Sequence, residues 1–321
     1  MFTDLPEDQL RDHRATAVEP PDFDAFWAER IAAARAAAAP VEIAEVEVGL
    51  TAVRVFDVSF SGWDGQRIRA WLRVPAGATG PLPAIVEYVG YGGGRGAATS
   101  NLLYAAAGYA HLHMDTRGQG ATWSRGDTPD DAPAGPQVPG VMIRGIASPE
   151  TYYYTRLFTD AVLAVDAVRS LDAVDPERVG VTGISQGGAM SLAAAALATG
   201  VRSVFARVPF LCDFPRSVTV TDSNPFREIP AYLSTHRDKV DAVLRTLSYI
   251  DGVHFAARGR VPALVSVALM DAIVPPSGVY AAYNAYPGEK ELLVWRYNGH
   301  EGGGPDDDAA GLAFFRRTLG G

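Results

Sequence analysis

Between residues 41 and 74 apolar and polar side chains alternate with a period of two, in the runs VEIAEVEV, AVRVFDVSF and QRIRAWLRV. Such a period puts one face of a strand inward and the other toward water. The last two runs flank the turn sequence Trp63-Asp64-Gly65, so the stretch is read as an antiparallel β-ribbon leading into the fold. Ahead of it, residues 1–21 are polar and punctuated by proline, and residues 22–39 read as an alanine-rich helix with Phe23, Phe26, Trp27 and Ile31 on one face. This extension, residues 1–40, is expected to pack on the core as an N-terminal arm. Beyond residue 74 the pattern changes to apolar runs that alternate with helical stretches. PAIVEYV is followed by helical residues 102–108, YAHLHMD by a long amphipathic helix over 152–171, and RVGVTG by 189–199. SVFARVPF then leads to a helical region over 225–250, PALVSVAL to 278–285, and ELLVWRY to a last helix over 309–319. Strands alternating with helices predict an α/β fold, a mostly parallel sheet covered on both faces, in one domain over 1–321. Residues 120–151 interrupt the pattern with a run rich in Gly, Pro, Asp and Ser. A loop of that length inside a domain is usually functional or an interface.

The composition narrows the possibilities without changing that picture. Hydrophobic residues are 48% of the 321 and charged residues 20%, enough for a sizeable core and too balanced for a disordered or fibrous chain. The net charge is −9 and no basic run stands out, which argues against a nucleic-acid partner. Cys212 is the only cysteine, so an intrachain disulfide and a cysteine zinc cluster are both excluded. The first residues are acidic, with no basic stretch leading into an apolar run, and no apolar segment reaches membrane-spanning length. A cytoplasmic protein without a membrane partner is the expectation.

The sharpest chemical signal is Gly183-Ile184-Ser185-Gln186-Gly187, placed between the strand RVGVTG and a helix of small residues. A strained strand-to-helix turn there would lift the Ser185 hydroxyl to the carboxyl edge of the sheet, with glycines allowing the close backbone approach. A serine needs a base, and the base a carboxylate to orient it. His300 follows the strand ELLVWRY directly, whereas His13, His236 and His254 lie in poorer contexts and read as surface or core histidines. Asp271 follows PALVSVAL and precedes Pro275-Pro276, so Ser185, Asp271 and His300 fall in the chain order of an α/β-hydrolase. Asp306, Asp307 and Asp308 read instead as a solvated run opening the last helix. Gly90-Tyr91-Gly92-Gly93-Gly94 follows IVEYV, where a backbone N–H joins the oxyanion hole of this fold. The expected donors are the N–H groups of Tyr91 and Gln186. A phosphate loop would need a Lys-Ser/Thr pair, which is missing. His111, His113 and Asp115 alternate along YAHLHMD and could be metal ligands, but packed histidines on a buried strand are the better reading, so neither metal nor cofactor is expected.

Taken together these residues resemble carbohydrate esterase family 7, the acetyl xylan esterases and cephalosporin C deacetylases, over nearly the whole chain. The resemblance runs through Asp22-Phe23-Asp24-Ala25-Phe26-Trp27, Arg117-Gly118-Gln119-Gly120, Gly126-Asp127-Thr128-Pro129-Asp130, Arg144-Gly145-Ile146 and Tyr152-Tyr153-Tyr154. It continues with the serine motif, Pro209-Phe210-Leu211-Cys212-Asp213-Phe214-Pro215, Met270-Asp271 and Gly299-His300-Glu301-Gly302. It implies deacetylation of xylo-oligosaccharides and of cephalosporin C, with Ser185 as nucleophile, His300 as base, Asp271 as its orienting acid, and Tyr91 and Gln186 as oxyanion donors. It also implies a homohexamer whose contacts involve the insertion near 120–151. Arg117, Gln119 and Glu301 belong to the family motifs. Arg117 and Gln119 supply no proton or nucleophile the triad lacks, so a structural link between strand end and insertion is favoured over active-site support. Two positions depart from the pattern: Val89 stands where a histidine is expected and Ile143 where a threonine is expected. A different acyl or alcohol preference, a peptidase, and a non-catalytic relative stay open as alternatives.

Overall fold

In the computed structural model, which describes residues 2, 4–132 and 140–320, the period-two runs become β1 (Glu42–Val46), β2 (Val53–Ser61) and β3 (Arg67–Pro75), paired antiparallel. The later apolar runs become β4 (Leu82–Tyr88), β5 (Ala110–Met114), β6 (Val174–Ile184), β7 (Val201–Arg207), β8 (Ala263–Ala268) and β9 (Lys290–Trp295). All nine lie in one sheet, ordered β1-β2-β3-β5-β4-β6-β7-β8-β9. From β5 to β9 every pairing is parallel.

Strand alternation divides the core in two. Val86, Val204, Ala206 and Val265 turn to the face covered by α4 (Tyr153–Arg169) and α5 (Gln186–Leu197). Ile85, Phe205 and Leu264 turn to the other, under α11 (Pro305–Leu319), with Tyr104 of the short α3 (Leu103–Ala106). Fifteen of the seventeen residues of α4 are buried, Thr155, Arg156, Thr159 and Asp160 included, so this helix is surrounded rather than half-exposed. The arm begins with α1 (Glu7–Asp12) and continues in α2 (Phe23–Ala36), whose Trp27 is fully buried and donates from Nε1 to Tyr249 O at 2.9 Å. Burying side chains of that size is worth roughly 1.5–3 kcal/mol each. Asp4 adds polar anchors, accepting from Arg216 at 2.6 Å and from Ser277 N at 2.7 Å.

The helical region expected over 225–250 is not continuous. It divides into α7 (Glu228–Thr235), a 3-10 turn (Arg237–Lys239) and α8 (Val240–Ser248), because His236 leaves helical geometry at φ −104° and ψ 60° with its ring stacked on Tyr232. The short helices α1, α6 (Phe214–Val220) and α9 (Gly252–Ala256) have too few turns to show a periodic signal, and α10 (Pro276–Ala285) opens on the proline pair. Among the described residues no helix is long and apolar enough to cross a membrane.

Candidate active site

Ser185 joins β6 to α5 with φ 59° and ψ −118°, a conformation an L-residue keeps only where its surroundings impose it. Two glycines allow those surroundings to close. A Cβ on Gly183 would lie 2.4 Å from the backbone of Gly187, and one on Gly187 would lie 2.2 Å from Tyr88 O. The turn is fixed on both sides, with Ser185 N donating to Arg207 O at 2.9 Å and Phe210 N to Ser185 O at 3.0 Å.

The loops after β8 and β9 bring Asp271 and His300 to the same edge. His300 Nε2 lies 3.0 Å from Ser185 Oγ and Nδ1 lies 2.8 Å from Asp271 Oδ2. A carboxylate here can only accept, so the ring proton sits on Nδ1 and Nε2 is left to accept from the serine hydroxyl. Asp271 is buried, and its Oδ1 accepts from the N–H groups of Ile273 at 2.8 Å and Val274 at 2.9 Å, which fixes its orientation. Glu301 shapes the histidine loop, accepting from Gly299 N and Asn298 Nδ2 at 3.1 Å. The other candidate histidines have separate partners: His13 faces Asp213 at 3.4 Å, His236 stacks on Tyr232, and His254 packs edge-on to Phe23.

Tyr91 and Gln186 flank the serine from the loop after β4 and the first turn of α5. Among the described residues neither backbone N–H donates a hydrogen bond. Gln119 ties these two segments together: its Oε1 accepts from Gly92 N at 2.6 Å, and its Nε2 donates to Gln186 Oε1 and to Tyr153 Oη, both at 2.9 Å. Gln186 Nε2 donates in turn to Val89 O at 3.1 Å. Arg117 turns away from the serine and is fully buried, donating to both oxygens of Asp160 at 2.5 and 2.8 Å and to Gln66 at 2.5 Å.

A second brace holds the Tyr91 side chain. Its hydroxyl donates to Glu228 Oε1 at 2.5 Å and accepts from Val141 N at 2.9 Å, while Met142 N donates to Glu228 Oε2 at 3.0 Å. Gly140, at φ 112°, passes so close that a Cβ would sit 2.2 Å from that carboxylate. Burial pushes the Glu228 carboxyl up, against the hydrogen bonds from Tyr91 and Met142 that pull it down. The end of the insertion thus clamps the loop that carries Tyr91 N–H. Changing Glu228 to Gln leaves one acceptor for two donors, the Tyr91 O–H and the Met142 N–H, and is expected to lower kcat/KM about tenfold, since small displacements of a catalytic group are costly. Steady-state kinetics beside a thermal melt check this, and unchanged kcat/KM would refute the brace.

Ser185 and His300 line a cavity of about 340 Å³ with Gly90, Tyr91, Trp123, Ile184, Asn224, Pro225 and Ile273. Sequence reasoning missed Trp123, Pro225 and Glu228, which reach the site only through loop packing. A tryptophan inside a glycine-rich insertion was the one available sign. The first part of the 120–151 insertion zips onto the glycine loop through Thr122 Oγ1 to Gly92 O at 2.7 Å and Ser124 Oγ to Gly94 O at 2.8 Å, and residues 133–139 lie outside the described ones. Val89 lines a neighbouring cavity rather than this one, and Ile143 is buried in the core.

The aspartate run needs correction. Asp306 is exposed and Asp308 is half-exposed, but Asp307 is not in solvent. Asp307 is buried, accepting from Trp295 Nε1 at 2.9 Å, Gly303 N at 3.0 Å and Ser266 Oγ at 3.1 Å, and Asp308 pairs with Arg207 at 2.9 Å. His111 bonds Glu87 at 2.9 Å and His113 bonds Asn101 at 2.8 Å, while Asp115 spends its two oxygens on N–H groups of Arg95, Thr116 and Asp127. Among the described residues no three His, Cys, Asp or Glu side chains are grouped to hold a metal ion.

Comparison with known proteins places the chain in a family. A family profile described as acetyl xylan esterase (AXE1) matches residues 1–317. The chain is similar to the solved acetyl xylan esterase from Paenibacillus sp. R4, with 36% identity, a TM-score of 0.92, and coverage of 98% of this chain and 100% of that one. Acetyl xylan esterase 1 from Thermoanaerobacterium sp. JW/SL YS485 shares 33% identity at a TM-score of 0.89, covering 98% and 99%. Acetyl esterase Axe7A of Xylanibacter ruminicola is 27% identical over 289 residues, 88% of this chain, and the chain spans 63% of the length of that relative.

Proposed function

The chain belongs to the acetyl xylan esterase family, and from that premise we propose that it is a serine esterase removing O-acetyl groups from acetylated xylo-oligosaccharides. It is a carboxylic ester hydrolase whose acetyl group is carried through an acetyl-enzyme. The observation that supports this best is the row of Ser185, His300 and Asp271, at 3.0 and 2.8 Å, opening into one small cavity.

Ser185 Oγ attacks the acetyl carbonyl carbon as His300 Nε2 takes its proton, and Asp271 holds the imidazolium that forms. The carbonyl oxygen becomes an oxyanion between the N–H groups of Tyr91 and Gln186, each such donor being worth about 10²–10³ in rate. Collapse breaks the bond to the sugar oxygen, which leaves with the proton from Nε2. Water then gives its proton to Nε2 and attacks the acetyl-serine; acetate departs and Ser185 recovers its proton. No step calls for a cofactor. The same chemistry extends to the acetoxymethyl ester of cephalosporin C, and the resemblance to the family supports a homohexamer, which light scattering in solution tests.

A cavity of about 340 Å³ is at the small end for ligand sites, which favours a short acyl group. The kcat/KM for p-nitrophenyl butyrate is expected at least about tenfold below that for the acetate, with the octanoate lower still. A preference for the longer chains would keep the serine chemistry and remove the acetyl specificity.

A further inference from the structure

A larger cavity, of about 850 Å³, adjoins the catalytic one, and the two share Gly90, Trp123 and Ile184 as a common wall. Trp123 is the partition. The residue is 62% exposed, yet it is fixed: Nε1 donates to Tyr91 O at 2.8 Å, and the ring lies so close over Gly93 that a Cβ there would be 2.3 Å away. A rigid exposed ring gives up little entropy when a ligand covers it.

The floor of this cavity comes from β3 and β5, where Trp71 and His113 are register partners. Asn101 Nδ2 lies 2.8 Å from His113 Nδ1. An amide nitrogen only donates, so Nδ1 accepts and the proton of the neutral ring is on Nε2. Burial pushes the His113 imidazole down to about 3, so the ring is neutral at working pH. Neither Nε2 of His113 nor Oδ1 of Asn101 has a partner among the described residues. The buried charges on the wall are already paired. Glu87 faces Arg207 at 3.3 Å, Arg95 faces Asp57 at 2.8 Å and Asp127 at 3.1 Å, and Arg125 faces Asp127 at 3.5 Å. Only Arg125, exposed and sharing Asp127 with Arg95, is loosely held, and the buried part of the wall offers a charged ligand no unpaired counter-charge. A neutral polyhydroxylated ring finds an indole, one free donor and one free acceptor.

We propose that this cavity is a sugar subsite, taking a neutral pyranose unit of the same chain as the one whose acetyl group lies over Ser185, with Trp123 as the wall that the chain crosses. The inference rests on the reading of Ser185 as nucleophile of a sugar acetyl esterase, and it adds a requirement for chain length. Wild type is expected to deacetylate acetylated xylotriose at least about tenfold better in kcat/KM than acetylated xylose. Ser100, exposed on the rim, is replaced by Trp to fill the mouth. In Ser100→Trp the ratio of the two kcat/KM values should fall to near unity, with a melting temperature like wild type. Trp123→Ala should lower the same ratio.

Equal kcat/KM for the two sugars in wild type, or an unchanged ratio in a folded Ser100→Trp, would overturn the subsite while leaving the esterase intact. Turnover of neither sugar would overturn the esterase reading instead. Calorimetry on Ser185→Ala then decides the subsite separately. Xylotriose binding at least about tenfold tighter than xylose, and weakened by Ser100→Trp, supports it; equal affinities reject it.

Discussion

Ser185→Ala is expected to lower kcat toward p-nitrophenyl acetate by at least about 10³-fold while the protein stays folded. The size of the loss follows from what is removed. Without Oγ the acetyl group cannot be passed to the enzyme, and His300 is left to activate a water that no covalent bond positions. The proposed oxyanion donors and the cavity remain, so turnover should not fall to the uncatalysed rate. Stability should hardly move. Among the described residues the Ser185 hydroxyl has one partner, His300 Nε2, while the backbone groups that hold the turn, to Arg207 and from Phe210, are untouched. The left-handed φ of 59° costs an alanine about what it costs a serine. A melt beside the kinetics separates chemistry from folding, and fluorophosphonate labelling read by mass spectrometry locates the nucleophile. Turnover like wild type in a folded Ser185→Ala would end the assignment.

Much of the frame could be read from residues alone, for reasons that are local. A period of two is a property of the strand itself, so the ribbon and the parallel strands are visible without knowing their neighbours. Gly183 and Gly187 are visible because a Cβ at either position would strike backbone. Asp271 and His300 are visible because each directly follows an apolar strand, and the carboxyl ends of parallel strands converge on one edge. The rest depends on packing between distant segments. Glu228 touches Tyr91 from 137 positions away, and nothing in its own neighbourhood says so. Asp307 reads as solvent-facing from its run of charge, but Trp295 and Ser266 supply donors that make its burial affordable. Alternation places His111 and His113 on one face, yet it does not reveal that a cavity opens beside the second.

Arg117→Ala is expected to cost about 3–5 kcal/mol of stability, with a fall in melting temperature of about 5–7 °C. Arg117 and Asp160 are both fully buried, and their bidentate pair at 2.5 and 2.8 Å is what compensates the Asp160 charge. With the guanidinium gone, one N–H from Trp63, at 2.8 Å, faces that carboxylate in place of the pair. A Cβ on Gly62 would lie 2.2 Å from the same oxygen, so the backbone has no slack to relax. The loss should therefore come from the stranded charge more than from the missing contacts. Neutralising that charge gives the sharper test: Arg117→Ala/Asp160→Asn should recover part of the stability lost in Arg117→Ala, which a pair acting only through packing would not show. Kinetics should follow more weakly, through Gln119 two positions on, whose amide links Gly92 N to Gln186. If the melting temperature holds while kcat collapses, Arg117 acts on the chemistry, and its place as the post between strand end and insertion is wrong.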